Sequence, residues 1–303
     1  MPFHFVVHVW QRLTSIRSKR NDHSNATPYS MHNLTSRIRK AQWIGGRSAN
    51  VYRATCSIGT TPTQVVVKSL RVEMFSNTGK SESQELLVRA NAWMSLRHDN
   101  ILTPIGFADG FGPLPSIVYK WMPGGTLTSY LEDNSGSLSV SQRFCLIKQI
   151  AAGLCYLHYK NVVHGNLHGN NVLIDAEGVA HLADYELTWA YRGQHIPPSV
   201  RWAAPERFDS QSVSAPTTKS DIYSLGGIML QILTGREPYY EVRSRSKVSI
   251  EILNGNKPSR PLDIRIADPH WWFIQWCWTV PENRPSSAEV LHFAQREAEL
   301  LGA

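Results

Sequence analysis

The hydrophobic pattern of the chain changes character at Pro123-Gly124-Gly125. Before this point the apolar residues fall in short runs, several of them rich in Val, Thr and Tyr, which is typical of β-strands bounded by turns. After it the apolar residues recur at helical spacing over long segments. This division predicts a small strand-rich lobe and a larger helical lobe, with a cleft between them.

The predicted fold class is α+β, with a small antiparallel sheet and one helix in the first lobe and mostly helices in the second. The sequence predicts strands over Ala49–Cys56, Thr63–Leu70, Ile101–Phe107 and Ser116–Lys120, and helices over Ser81–Leu96, Ser139–Tyr159, Ser220–Thr234, Trp271–Trp278 and Ser286–Leu300. We predict a domain over residues 41–300, with the small lobe at about 41–119, a hinge at 119–124 and the large lobe at 125–300.

The positive charge of the chain is concentrated before this domain. The 303 residues carry a formal net charge of +7, and residues 1–42 hold seven Lys and Arg against one acidic residue, Asp22, a net +6. The remainder is therefore nearly neutral, at about +1, and does not favour nucleic acid as a partner. We predict that residues 1–40 are a basic, disordered leader that could contact acidic surfaces.

Composition limits the cellular setting and the class of protein. Apolar residues make up 42% of the chain and charged residues 18%, which is ordinary for a globular domain. No apolar run reaches the roughly 18 residues that a membrane span needs. The four cysteines form no Cys-x-x-Cys pair, so the sequence favours a reducing, cytoplasmic location over a disulfide framework.

Six short motifs occur in an order, and with gaps, that resemble those of protein kinases. They are Val65-Val66-Val67-Lys68, His164-Gly165-Asn166-Leu167-His168-Gly169-Asn170-Asn171, Ala183-Asp184-Tyr185-Glu186, Ala204-Pro205-Glu206, Ser220-Asp221-Ile222-Tyr223-Ser224-Leu225-Gly226 and Asn283-Arg284-Pro285. Trp202-Ala203 before the fourth motif favours the tyrosine-kinase-like group. The second motif is similar to the His-Gly-Asp-Leu-Lys-Gly loop common among fungal members.

The resemblance implies that ATP and Mg²⁺ bind in the cleft. Lys68 would meet the α- and β-phosphates, while Asn171 and Asp184 would supply the hard oxygen donors that Mg²⁺ requires. The other implied ATP contacts are Gly46, Val51, Val66, Met122 and Leu173. Binding is predicted to be weakened, because Gly46 alone is kept of the three glycines of the phosphate loop and Val66 narrows the slot where alanine is usual.

The catalytic positions depart from the family pattern. Asn166 takes the place of the aspartate that accepts the substrate's hydroxyl proton, and an amide can only hydrogen-bond that hydroxyl. General-base help is typically worth about 10²–10⁴-fold in rate, so its loss should nearly abolish transfer. His168 stands where the family has a lysine that contacts the transferred phosphoryl group. Lys68 is therefore the cation of the family's catalytic set that this chain keeps.

The usual partner of Lys68 is also changed. Arg89 falls where the family has a glutamate on the small-lobe helix, and Glu85 lies one turn earlier. Either Glu85 substitutes for that glutamate through a shifted helix, or it pairs with Arg89 and the Lys68 pair is missing.

Four further residues match structural roles in the family. Tyr185 would fill the apolar position of the usual phenylalanine, with its hydroxyl needing a partner. Glu206 and Arg284 would form a buried ion pair in the large lobe, and Asp221 would tie the catalytic loop to the central helix.

These observations favour a pseudokinase that binds Mg·ATP weakly and works in signalling through a protein partner. A working or residual Ser/Thr kinase is the second interpretation, since positioning and charge neutralisation supply most phosphoryl-transfer catalysis. A small-molecule phosphotransferase is the third, because the His-Gly-x-Leu-His-Gly-x-Asn loop also resembles that of aminoglycoside and choline kinases. Ala204-Pro205-Glu206 argues against this third interpretation.

Overall fold

The computed structural model describes residues 32–46, 49–58, 61–71, 80–134, 136–185, 200–208 and 215–302, without the side chains of residues 80–85. Most of the predicted leader lies outside these ranges, as do Glu186 and part of the phosphate loop at residues 47–48. The described residues form an antiparallel sheet lobe followed by a helical lobe, which confirms the predicted α+β fold.

The small lobe is a five-stranded antiparallel sheet with one helix. Its strands, in the spatial order β1-β2-β3-β5-β4, are β1 (Ile38–Gly45), β2 (Ala49–Ile58), β3 (Thr61–Leu70), β5 (Ser116–Lys120) and β4 (Gly106–Ala108), and its helix is α1 (Lys80–Ser95). Leu34 and Ile38 are buried against Val65 and Val67 on one face of the sheet. The packed chain therefore begins before residue 41, the predicted boundary, because these two apolar side chains cover a sheet face that would otherwise be exposed to water.

The large lobe holds six of the α-helices found in the described residues, together with a small three-stranded sheet. The helices are α2 (Leu127–Asn134), α3 (Val140–Tyr159), α4 (Thr218–Thr234), α5 (Arg245–Leu253), α6 (Asp268–Cys277) and α7 (Ser287–Leu300), and the sheet is β6 (Gly125–Thr126), β7 (Val172–Ile174) and β8 (Ala180–Leu182). None of the helices in the described ranges is long and apolar enough to cross a membrane.

Helix α4 forms the centre of the large lobe. All but three of its seventeen residues are buried, so protein surrounds it on every side. The helix begins with a capping box, in which the side chains of Thr217 and Ser220 each accept a hydrogen bond from the other's backbone amide. It ends at Gly235, which adopts the left-handed conformation that glycine allows. These two ends fix the position of Asp221 in the first turn, beneath the loop that carries the candidate catalytic residues.

The predicted strand Ile101–Phe107 is largely absent. Only Gly106 and Phe107 of this segment belong to β4, whereas Ile101 makes a single bridge to Leu182 at the edge of the large lobe's small sheet. Reciprocal backbone hydrogen bonds of 2.9 Å join Asn100 and Leu102 to Leu182. The apolar residues of this segment are thus buried as a connection between the lobes rather than as a strand.

Candidate functional site

Lys68 and Asp184 are in direct contact in the cleft. Lys68 lies on β3, and its ammonium group forms an ion pair with Oδ2 of Asp184, which follows β8. Their side chains are only 13% and 20% exposed, so the pair is largely shielded from water. Asp184 has a positive φ of 60°, a conformation that is uncommon outside glycine and frequent at functional sites.

The candidate catalytic loop is held from below by Asp221. Its Oδ2 accepts a hydrogen bond of 2.8 Å from the amide of His164, and its Oδ1 accepts one of 2.8 Å from the amide of Gly165. Nε2 of His158, on α3, also lies 3.0 Å from Oδ2. The Asp221 carboxylate is buried, so these donors satisfy a charge that burial would otherwise penalise. The predicted tie between the loop and the central helix is present.

Asn166 and Asn171 are joined within this loop. The side-chain amide Nδ2 of Asn171 donates a hydrogen bond of 2.9 Å to the carbonyl oxygen of Asn166. The carboxamide oxygen of Asn171 is then the atom of this side chain that can act as a metal ligand. The carboxamide oxygen of Asn166 is buried and accepts no hydrogen bond from the described residues. Unlike the carboxylate that the family has at this position, this amide cannot take up a proton.

The side chain of His168 forms a hydrogen bond within the candidate catalytic loop. The residue is buried, and its Nδ1 accepts a hydrogen bond of 3.3 Å from the amide of Asn170, which caps the short 3₁₀ turn Gly169–Asn171. Its ring lies 5.8 Å from the ring of Trp202. Unlike the lysine that the family has at this position, a histidine side chain carries no fixed positive charge near pH 7.

The residues expected to line the adenine slot lie around the edge of the sheet and the hinge. Val51 on β2 is the cross-strand partner of Lys68, and Met122 is buried between β5 and β6. Val66 is opposite Tyr119 in the β3–β5 ladder, so the two side chains lie on one face. Leu173, on β7, is half-buried against the main core on the large-lobe side.

Tyr119 is a site residue that sequence reasoning missed. The residue is buried at the end of the cleft near Asp184, and its burial, followed by the charge of Asp184 and the neighbouring Tyr185, raises its pKa. The phenol is therefore neutral beside the ion pair. The only sequence signal was its place at the start of the predicted hinge, which carries no information about which way the side chain points.

The phosphate loop is fastened to the end of β3 by Arg71, a contact that sequence reasoning also missed. The guanidinium donates to the backbone oxygen of Gly46 at 3.1 Å and to Oδ1 of Asn50 at 3.2 Å. Gly46 has a φ of 120°, and a Cβ built on it would lie 2.0 Å from the carbonyl oxygen of Ala49. Glycine is thus required at this position by the tight path of the loop.

Tyr185 fills the apolar position predicted for it. The residue is buried, with its ring edge-on to Trp93 of α1 at 5.9 Å and to His164 at 6.5 Å. Its hydroxyl lies 3.5 Å from the carbonyl oxygen of Leu102. The ring therefore connects the small-lobe helix to the candidate catalytic loop.

Helix α1 brings Arg89 to the same side as Trp93, one turn earlier. Lys68 is paired with Asp184, so in this structure its carboxylate partner comes from the large lobe. Glu85 has its side chain outside the described residues, and its two predicted pairings stay predictions. Control by phosphorylation of Thr188 or Ser199 is not expected, because Gly165 stands where the family has the arginine that receives such a phosphate; both residues lie outside the described ranges.

Glu206 and Arg284 form the predicted ion pair in the large lobe. Two hydrogen bonds of 2.5 and 2.8 Å join the guanidinium to the two carboxylate oxygens. Arg284 also donates to the carbonyl oxygens of Lys219 at 2.9 Å and Thr279 at 2.8 Å. Burial alone would raise the pKa of Glu206, but the hydrogen bonds and charge of Arg284 outweigh it and hold that pKa below its usual value.

The donor set of the cleft fits Mg²⁺ and a nucleotide. A carboxamide oxygen from Asn171 and a carboxylate from Asp184 are hard ligands of the kind that Mg²⁺ prefers. Met122, at the hinge, is buried, and its backbone amide donates a hydrogen bond to no other described residue. This amide is therefore available as a hydrogen-bond donor to a nucleotide base. When bound, Mg²⁺ would be held by Asn171 and Asp184 and would neutralise phosphate charge. Lys68 would have to share Asp184 with the metal or leave it for the phosphates.

Comparison with known proteins agrees with this arrangement. Residues 39–293 match the family model of protein tyrosine and serine/threonine kinases. The chain belongs to this family. The match covers every site residue named above, and a kinase domain of this family binds ATP and a protein substrate.

Three relatives show the degree of similarity to this chain, and all three are much longer than it is. The mitogen-activated protein kinase kinase kinase mkh1 of Cytospora mali is 29% identical over 292 residues, which cover 89% of this chain and 16% of that protein. The mitogen-activated protein kinase kinase kinase MCK1 of Pyricularia oryzae is 29% identical over 276 residues, which cover 86% of this chain and 18% of that protein. The probable leucine-rich repeat receptor-like protein kinase IMK3 of Arabidopsis thaliana is 34% identical over 206 residues, 64% and 25%. The chain thus spans a quarter or less of each of these relatives.

Proposed function

We propose that this kinase domain is a pseudokinase, which binds Mg·ATP weakly, transfers little or no phosphate and acts through a protein partner. The observation that carries the proposal is Asn166 at the general-base position, with its carboxamide oxygen buried and without a hydrogen-bond donor among the described residues. His168 supports it, because its Nδ1 caps the loop and the ring supplies no fixed positive charge. The loop keeps its shape and lacks the group that takes up the proton.

Weak nucleotide binding follows from the contacts that already occupy the cleft. Lys68 is engaged by Asp184, and the phosphate loop is fastened by Arg71. Val66 and Tyr119 are bulky neighbours on the face that adenine would meet. A nucleotide must rearrange the ion pair, and part of its binding free energy is used in doing so.

A residual Ser/Thr kinase is the second candidate, and one observation favours it. Lys68 contacts Asp184, and the backbone carbonyl of Asn171 accepts a hydrogen bond of 2.9 Å from the amide of Ala183, the neighbour of Asp184. These groups position and neutralise the phosphates, which is the larger part of phosphoryl-transfer catalysis.

We further propose that the domain belongs to the tyrosine-kinase-like group and works in cytoplasmic signalling. Trp202-Ala203-Ala204-Pro205-Glu206 supports the group, and similarity to two mitogen-activated protein kinase kinase kinases supports the signalling role. The cytoplasmic location is supported by the four cysteines, all of which are free.

A thermal-shift titration with ATP, with and without Mg²⁺, tests the nucleotide part of the proposal. The unmodified protein should gain stability only at high ATP concentration and only with Mg²⁺. Asp184→Ala should remove this gain, whereas Glu177→Ala, which deletes an exposed carboxylate elsewhere in the same lobe, should keep it. An equal gain without Mg²⁺, or an unchanged gain in Asp184→Ala, would show that the metal assignment is wrong.

A further inference from the structure

The chain enters the kinase domain along the outer edge of β4. The amide of Leu34 donates a hydrogen bond of 2.8 Å to the carbonyl oxygen of Phe107, and the amide of Phe107 donates one of 3.0 Å to the carbonyl oxygen of His32. Leu34 and Ile38 are buried against the sheet. We call residues 32–38 the entry segment. It covers strand-edge groups that would otherwise be open to pairing with another chain.

The hydroxyl of Thr35 helps to hold the entry segment in place. It donates a hydrogen bond of 2.6 Å to Oδ1 of Asn33 and accepts one of 2.8 Å from the amide of Asp109. Nδ2 of Asn33 donates a further hydrogen bond of 3.1 Å to the carboxylate of Asp109. A negative group on Thr35 would therefore break two hydrogen bonds and lie close to the charge of Asp109.

The next hydroxyl along the chain, that of Ser36, is accessible. Ser36 is exposed, and its hydroxyl forms no hydrogen bond with another described residue. Its carbonyl oxygen accepts a hydrogen bond of 2.6 Å from Nη1 of Arg39, and the same Nη1 donates one of 2.9 Å to the carbonyl oxygen of Ile38. The guanidinium of Arg39 is thus held beside Ser36, and its Nε and Nη2 carry further donors that an anion there could use.

The charge next to Ser36 is positive. Residues 32–45 contain three cationic side chains and no acidic residue. The three are Arg37, Arg39 and Lys40; all are exposed, and none forms an ion pair with another described residue. The carboxylate of Asp109 contacts the entry segment on the side of Thr35. A phosphate would therefore be favoured on Ser36 and opposed on Thr35.

We propose that Ser36 is a phosphorylation site, modified by a Ser/Thr kinase that prefers basic substrates, and that Arg39 binds the resulting phosphate. Oγ of Ser36 attacks the γ-phosphorus of ATP bound to that kinase, and the bond from this phosphorus to the oxygen that bridges it to the β-phosphorus breaks. ADP leaves, and the hydroxyl proton passes to the catalytic base of the modifying kinase. Positive charge after Ser36 suits an enzyme whose substrate groove is acidic.

The phosphate would fasten the entry segment at the start of β1. It carries a charge of about −1.5 to −2 at pH 7 and accepts charge-assisted hydrogen bonds from a guanidinium. Phosphorylation of Ser36 should therefore stabilise the small lobe, whereas a negative group on Thr35 should release the segment from β4. This inference goes beyond the proposed function, because it requires neither ATP binding nor phosphate transfer by the domain itself.

Thermal unfolding of the full chain with phosphoserine incorporated at position 36 tests the role of Arg39. The midpoint should rise by about 1–3 °C at low salt, and the rise should shrink at 1 M NaCl. Arg39→Gln should remove the rise. Phosphoserine at position 137, an exposed turn between α2 and α3, adds the same charge and should give no rise. Thr35→Glu should lower the midpoint by about 3–6 °C, whereas Ser36→Glu should not lower it.

Reaction of the full chain with protein kinase C and ATP, followed by mass spectrometry, tests the modification. The Lys68→Met chain is used as substrate, so that phosphate added by the domain itself does not contribute. We expect phosphate on Ser36 and none on Thr35.

Four results would overturn the proposal. A chain with no phosphate on Ser36, or with phosphate on Thr35 instead, would show that Ser36 is not the site. A rise in midpoint that survives Arg39→Gln would show that Arg39 does not bind the phosphate. An equal rise with phosphoserine at position 137 would show an effect of net charge only. None of these results depends on whether the domain transfers phosphate, so the proposed function is tested separately.

Discussion

Replacing Glu206 with Gln should lower the free energy of unfolding by about 2–3 kcal/mol, because it leaves the buried guanidinium of Arg284 without its anionic partner. Arg284 has only 2% of its side chain exposed, and Glu206 has 29%. Breaking a fully buried pair costs about 3–5 kcal/mol, and partial access of water to Glu206 reduces that figure. A change of this size corresponds to a melting temperature lower by roughly 5–10 °C in a domain of this length.

Urea unfolding followed by tryptophan fluorescence measures this loss, and a second bidentate pair supplies the control. Arg236 and Asp263 are joined by two hydrogen bonds with the same geometry, but 34% and 60% of their side chains are exposed. Asp263→Asn should therefore leave the unfolding midpoint unchanged within error. If Glu206→Gln costs no more than Asp263→Asn, burial does not decide the strength of the pair and the reasoning fails.

The same variant has a pH signature. In the folded protein Arg284 holds the pKa of Glu206 below its usual value despite burial. The stabilisation is therefore fully present above the unfolded pKa, near about 4.3, and is lost as pH falls through the lower folded pKa. The difference in unfolding free energy between the unmodified protein and Glu206→Gln should be constant near neutral pH and shrink in acid. A difference that grows as pH falls would contradict this sign.

Two further predictions concern the cleft. Tyr185→Ala should cost about 3–5 kcal/mol of stability through the cavity it leaves, whereas Tyr185→Phe keeps the ring and should cost about 0.5–1.5 kcal/mol for a lost hydrogen bond; equal losses in urea unfolding would show that the hydroxyl, not the ring, matters. Asn166→Asp alone should restore little phosphoryl transfer, because Arg89 and His168 still depart from the family pattern. The triple variant Asn166→Asp, His168→Lys, Arg89→Glu should transfer clearly more phosphate in a single-turnover assay. Full activity in the single variant would show that Asn166 alone disables the domain.

The long helices could be predicted from sequence because their apolar periodicity and their caps agree. Helix α3 was predicted over Ser139–Tyr159 and begins with a capping box between Ser139 and Gln142. The first strand could not be predicted in this way. All of β1 after Ile38 is exposed or half-exposed, so it has no alternating pattern, and pairing with β2 alone makes it a strand. Helix α5 was missed for a similar reason, since it buries only Val248 and Ile252.

The candidate site also divides into residues that could be predicted from the sequence and contacts that could not. Motif order predicted that Lys68, Asn166, Asn171 and Asp184 share one cleft, because a family resemblance carries long-range information that local pattern does not. The Lys68–Asp184 pair joins residues 116 apart in sequence. Neither the hold of Arg71 on Gly46 nor the position of Tyr119 beside the ion pair could be predicted, because both depend on how the strands and loops meet in space.

The central claim is that the domain transfers little or no phosphate, and transfer of ³²P from [γ-³²P]ATP to dephosphorylated casein tests it most directly. Lys68→Met serves as the control, because any signal from a contaminating kinase survives in that variant. The account predicts that the unmodified chain incorporates no more label than Lys68→Met does. Label that the unmodified chain incorporates and Lys68→Met abolishes would contradict the pseudokinase proposal and establish the residual kinase in its place.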